Sequence, residues 1–151
     1  MNLNLKGSEQ VGVVGRIDPD ATVASTVTSG WIDSSKFKLY LAVVQAGTLG
    51  ASATVDAKLQ QATDGSGTGA KDITGKAITQ LTQAGTDDDK DVVINLRPQQ
   101  DMDLDNSFTH FRLSITVAVA TSDIGGIVLG IGPRSGPATD HDLTTVDEVV
   151  G

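Results

Sequence analysis

From Thr109 to Val119 the chain alternates between apolar and polar side chains more clearly than anywhere else. Phe111, Leu113, Ile115, Val117 and Val119 form one row, and His110, Arg112, Ser114 and Thr116 form the other. A period of two held over eleven residues cannot lie on a helix, whose faces repeat every 3.6 residues, and it predicts a long strand buried on one side. Two further segments repeat the pattern: Phe37, Leu39, Leu41 and Val43 against Lys38 and Tyr40, and Ala53, Val55, Ala57 and Leu59 against Thr54, Asp56, Lys58 and Gln60. In both, the first-named row is expected to face inward.

Shorter strands are expected around these three. Residues 10–17 and 21–27 are read as strands straddling a turn at Asp18-Pro19-Asp20, followed by Gly30-Trp31-Ile32-Asp33. Residues 78–83 and 91–96 flank the acidic loop 86–90, and 127–131 closes the series before Pro133. Sixteen Val, seventeen Thr and nine Ile supply the strand formers. Helix is confined to a single turn within 98–106, where Pro98 suits a first helical position. Eight or nine short strands at near-regular spacing predict an all-β fold, a single antiparallel β-sandwich of jelly-roll or Ig-like type. The expected organisation is an N-terminal arm over 1–9, the sandwich over 10–132 and an extended C-terminal tail over 133–151.

Eleven Lys and Arg against nineteen Asp and Glu give a net charge of −8. Such a chain lacks the cations that displace counterions from a nucleic acid, and an anionic membrane surface is disfavoured for the same reason. Seventeen of the acids are Asp and only Glu9 and Glu148 are Glu, which places acidity in loops and turns. With no cysteine there is no disulfide framework, zinc–thiolate site or thiol nucleophile. No apolar run approaches the length of a membrane span. Met1–Lys6 has no basic stretch ahead of a long apolar region, so no signal peptide is expected.

The chemistry-bearing motifs are few. Asp101, Asp103 and Asp105 stand two apart before Asn106, a spacing of oxygen ligands that suits Ca²⁺. An EF-hand loop would need glycine in place of Asn106 and glutamate in place of Arg112, so these three are a weak metal candidate beside the reading of a solvated loop. Asp87-Asp88-Asp89 is expected to face water. Gly65, Gly67 and Gly69 lack the Gly-Lys-Ser/Thr ending and the helix of a phosphate loop and are read as a hairpin tip. His110 is expected to hydrogen-bond at the surface or between sheets, and His141 lies between Asp140 and Asp142 in the tail. No nucleophile elbow or paired-carboxylate constellation is present, so no catalytic residue and no cofactor is assigned. Trp31 is read as core filler in preference to a sugar platform.

Several stretches resemble small β-sandwich virion structural proteins of tailed bacteriophages and prophages. They are Gly30-Trp-Ile-Asp-Ser34 leading into 37–44, the run Gln45 to Asp64, Asp72 to Leu81, Phe108-Thr-His-Phe-Arg112, and the tail 142–150. The resemblance spans roughly residues 28–150 and is structural rather than catalytic. It implies a virion component made in the host cytoplasm: a capsid decoration or cement protein bound to the major capsid protein, with a threefold, homotrimeric arrangement. A head–tail connector or tail component is the alternative within that class, and a glycan- or Ca²⁺-binding sandwich the alternative outside it.

Both ends of the chain add a reason to expect protein partners. Leu3 and Leu5 lie before the first strand, and Leu143, Val146, Val149 and Val150 lie beyond Pro137. Neither end has the pattern to fold alone, yet both carry side chains that are unfavourable in water. These six are the candidate interaction residues.

Overall fold

The computed structural model describes residues 4–142 and 144–151. Leu3 and Leu143 therefore lie outside the described residues. After a helical turn, α1 (Gly7–Gln10), ten strands follow in chain order: β1 (Val11–Thr22), β2 (Ser25–Thr28), β3 (Ile32–Asp33), β4 (Phe37–Ala46), β5 (Thr54–Ala62), β6 (Lys71–Ala77), β7 (Leu81–Thr82), β8 (Lys90–Leu96), β9 (His110–Ala118) and β10 (Ser122–Pro133). Between β8 and β9 stand a second helical turn, α2 (Pro98–Asp101), and a 3₁₀ turn at Leu104–Asn106.

All pairings are antiparallel. One sheet has the order β1-β10-β4-β8; the other has β2-β9-β5-β6, with β3 added to β9 and β7 to β5. Leaving aside the two-residue β3 and β7, eight strands remain, and their pairing is nested. The first pairs with the last, the second with the seventh, the third with the sixth and the fourth with the fifth. A chain doubled back on itself and rolled into two sheets in this way is a jelly roll. Of the two sandwich types open to the sequence, the strand order selects this one.

The core lies between the sheets. β5 turns Val55, Ala57 and Leu59 inward, and β9 turns Phe111, Leu113, Ile115 and Val117 inward, all of them buried. On β4, Phe37 is buried as expected, but from Leu39 on the strand differs from the reading above by one residue. Its buried row is Tyr40, Ala42, Val44 and Ala46, while Leu39, Leu41 and Val43 point out. Tyr40 decides the phase. Its hydroxyl donates to the Asp33 carbonyl at 2.9 Å and accepts the Phe37 N–H at 3.1 Å, and its ring packs edge-on against Phe111 at 4.7 Å. Burial pushes the Tyr40 phenol up to about 12, so it stays a neutral donor inside the sandwich.

Four other local expectations shift. Asp18-Pro19-Asp20 is not a turn, because β1 runs through it with a register break between Ile17 and Asp20, a bulge that accommodates a proline without an N–H to share. Val119 leaves the inward row: it has φ +74° in the β9–β10 connection and is exposed. The strand over 78–83 shrinks to Leu81–Thr82, and β6 takes its place as the partner of β5. Trp31 is half-buried outside the core, its ring stacked on the Arg112 guanidinium at 4.5 Å. The glycine-rich stretch does form a hairpin tip between β5 and β6, closed by Thr63 N–H donating to the Thr68 carbonyl.

Candidate interaction surface

The two sheets present opposite chemistry to the outside. On the β2-β9-β5-β6 sheet the outward positions are polar: Thr26 and Thr116 share a hydroxyl hydrogen bond at 2.8 Å, Arg112 donates twice to the Gln60 side chain, and Lys58 and Gln60 both reach Asp72. That is the alternation expected of an antiparallel sheet with one wet face.

The β1-β10-β4-β8 sheet is largely apolar outside as well as inside, with Arg16 opposite Ile127 and Asn95 opposite Leu41 as polar positions on its edge strands. Leu39, Leu41 and Val43 on β4 stand opposite Ile131, Leu129 and Ile127 on β10. Val11 and Val13 extend the ladder on β1, and Val93 extends it on β8 opposite Val43. Leu39 is 42% and Val93 55% exposed, and the others are half-buried by their neighbours.

Both chain ends are led to its margins. Residues 138–142 run along the free edge of β1: Ala138 N–H donates to the Glu9 carbonyl at 2.8 Å and Asp142 N–H to the Val13 carbonyl at 2.7 Å. His141 locks this course, with Nδ1 accepting the Val13 N–H and Nε2 facing the Ser8 carbonyl, each at 3.3 Å. One imidazole tautomer, with its proton on Nε2, satisfies both. The tail thereby covers an edge whose unpaired backbone would otherwise invite another strand. Burial would raise the Asp142 carboxyl, but hydrogen bonds from Thr144 and Thr145 outweigh it and hold the group below the usual range. Thr145 and Val146 then border a hollow of about 380 Å³ with Val13, Arg16 and Ile127. At the other end of the face, Leu5 borders a hollow of about 420 Å³ with Lys38, Leu39 and Ile131. Leu5 and Val146 thus frame one surface, whereas Val149 and Val150 are exposed beyond it.

The remaining candidates are dispersed. Among the described residues no group of three or more His, Asp or Glu side chains is arranged to hold a metal ion. Asp101 pairs with Lys76 at 2.9 Å and accepts the Arg97 N–H at 2.6 Å. Burial would raise its carboxyl, but these two partners outweigh it and lower it. Asp103 binds the Lys71 ammonium, then Asn106, and is lowered by both in that order. Asp105 is exposed in the 3₁₀ turn. In the acidic loop, Asp87 accepts the Thr82 N–H and Asp88 the Leu49 N–H, so these carboxylates tie loops together. His110 hydrogen-bonds its neighbour Thr109 at 3.0 Å.

Leu5 and Val146 were findable as apolar residues outside any strand pattern. The β4–β10 face was missed, although its signal is present in 39–44, where both rows of the strand are apolar.

No family model matches the chain, and no curated protein matches it. Among solved structures it is similar to a chain of Broad Bean Stain Virus, at 17% identity and a TM-score of 0.40, over 80% of this chain and 67% of that one. It is also similar to a chain of the Triatoma virus empty capsid, at 12% identity and a TM-score of 0.41, over 85% and 93% of the two chains. A chain from the naturally occurring empty particles of Cowpea mosaic virus shows 10% identity and a TM-score of 0.40, over 88% and 93%.

Proposed function

We propose that this chain is a non-enzymatic structural component of a virion, a decoration or cement protein of a tailed phage or prophage that binds the outer surface of the major capsid protein lattice and stabilises it. The observation that carries the reading is the apolar outer face of the β1-β10-β4-β8 sheet, framed by both chain ends. A jelly roll that keeps one outer face polar and the other apolar is built to be covered on one side. The virion context is supported by the resemblance of residues 28–150 to phage structural proteins. The charge of −8 favours protein partners over nucleic acid or anionic membrane.

The test is electron cryo-microscopy of capsids lacking the protein, before and after mixing with it. Added density repeated over the outer lattice, with a raised capsid melting temperature, is the expected result. Density confined to the vertex where a tail joins would identify a connector instead. Capsids that take up no protein would overturn the virion reading.

A further inference from the structure

We propose that the apolar outer face of the β1-β10-β4-β8 sheet is the contact between two copies of this chain, packed face to face about a two-fold axis that lies between the two faces, parallel to the sheets, and runs across the strands. The inference rests on reading this face as an assembly surface, and it does not depend on the virion context.

The occupant follows from what borders the face. At one end Asp20, Asp91 and Asp123 line a single open hollow beside Gln45. At the opposite end stand Lys38, Arg97 and Arg134, all exposed. Glu9 at that end is turned to the Lys6 N–H at 2.7 Å. The face is therefore apolar along its two central strands, with Arg16 and Asn95 on its edge strands, negative at one end and positive at the other. A two-fold axis along the strands would set acid on acid. The axis across the strands sets the acidic end of each copy over the basic end of the other, and symmetry repeats the match. The face is its own complement.

Size sets the strength. Four strands about 4.8 Å apart and about seven residues long at 3.4 Å each cover roughly 450 Å². A standard interface takes about 800 Å² from each partner. Even with the hollows at Leu5 and Val146 filled, the contact falls at the weak end. Pairing is then concentration-dependent in solution and gives way where a capsid lattice offers the same face a larger contact.

Sedimentation equilibrium of the purified full chain, from micromolar to about millimolar, tests this. The expected result is a shift from monomer to dimer mass. Leu39→Asp and Val93→Asp, at positions already open to water, should keep the native melting temperature and remain monomeric throughout. Arg97→Asp or Asp91→Lys alone, at the two ends of β8 that the axis superposes, should weaken pairing by roughly three- to tenfold, a single exposed ion pair counted twice by symmetry. The double reversal in one chain should restore it. A wild-type chain that stays monomeric, a trimer mass as the phage resemblance implies, or dimers indifferent to Leu39→Asp would each overturn the proposal. Particle binding is read separately. A monomeric chain that decorates capsids refutes the pairing and leaves the proposed function standing, and a dimer that ignores capsids does the reverse.

Discussion

Phe37 lies on a floor of two glycines. Gly12 on β1 and Gly130 on β10 face each other in register, and the fully buried Phe37 ring covers both. A Cβ at Gly130 would fall 2.4 Å from ring atom Cδ2 and 2.5 Å from Cγ, and one at Gly12 would fall 2.6 Å from Cζ. Ordinary carbon contacts are about 3.5–4.0 Å, so Gly130→Ala requires the ring to withdraw by about 1 Å. It has nowhere to go: Tyr40 meets it edge-on at 5.9 Å, and the Phe37 N–H is fixed on the Tyr40 hydroxyl. Overpacking of this kind costs about 1–3 kcal/mol. The smaller entropy of an unfolded chain with alanine returns about 0.4–1 kcal/mol. The net loss of about 1–2 kcal/mol should lower the melting temperature by about 2–8 °C in a chain of this length. Urea unfolding of Gly130→Ala, Phe37→Leu and the double variant completes a cycle. The double variant should lose less than the sum of the singles, because the smaller side chain vacates the space the methyl needs. Strict additivity, or a neutral Gly130→Ala, would show that the ring does not rest on this pair and that the β1–β10–β4 register is wrong.

Other perturbations separate further parts of the structure. Ile115→Asp should prevent folding by placing an unpaired charge between the sheets, whereas Arg112→Ser on the outer row should leave circular dichroism unchanged; equal damage from both would contradict the phase of β9. Val119 holds φ +74° in a three-residue turn closed by Ala120 N–H to the Ala118 carbonyl, with its side chain 69% exposed, so Val119→Gly should stabilise by about 0.5–2 kcal/mol, and a lower melting temperature would refute the strain. Asp101 is held below its ordinary value of 3.8, so its stabilisation is complete above that pH and fades as pH falls through the lowered value. The stability gap between wild type and Asp101→Asn should close as pH falls below 3.8 through the lowered value, and a gap that persists once the group is protonated would assign the effect to shape rather than charge. With Asp101 and Asp103 turned to Lys76 and Lys71, EDTA should leave the melting temperature unchanged, and a fall of about 10 °C would restore the Asp101–Asp103–Asp105 run as a cation site.

How far the fold could be read in advance differed between the sheets, for a physical reason. β5 and β9 belong to the sheet with a polar outer face, so their alternation names the inward row without ambiguity. β4 carries apolar side chains in both rows, and its bulkier row, Leu39-Leu41-Val43, is the outer one. A period-two pattern cannot choose between two apolar faces, and the choice falls to Tyr40, whose hydroxyl partners are set only by the tertiary fold. β6 is held by backbone pairing and by Asp72 meeting Lys58 and Gln60, with Ile73 as its one buried apolar side chain, so no period could reveal it. The tail's course along β1 depends on His141, and the backbone groups it meets on Val13 and Ser8 lie 128 and 133 residues away in the chain, beyond any local pattern.

The nested pairing also orders events in time. β10 is the last strand in the chain, yet β1 has only β10 as its sheet neighbour, and β4 needs it on one side. Val11 meets Ile131 only after the whole sandwich has been traversed, a closure of the kind that makes all-β domains fold in milliseconds to seconds. Until then, 39–44 remains a six-residue stretch of uncharged strand formers with a free edge, the sort of segment that aggregates. The same delay protects assembly. The outer face draws three of its apolar residues from β10, so a half-made chain has no such face to offer, and only a chain that has finished folding can recognise a partner.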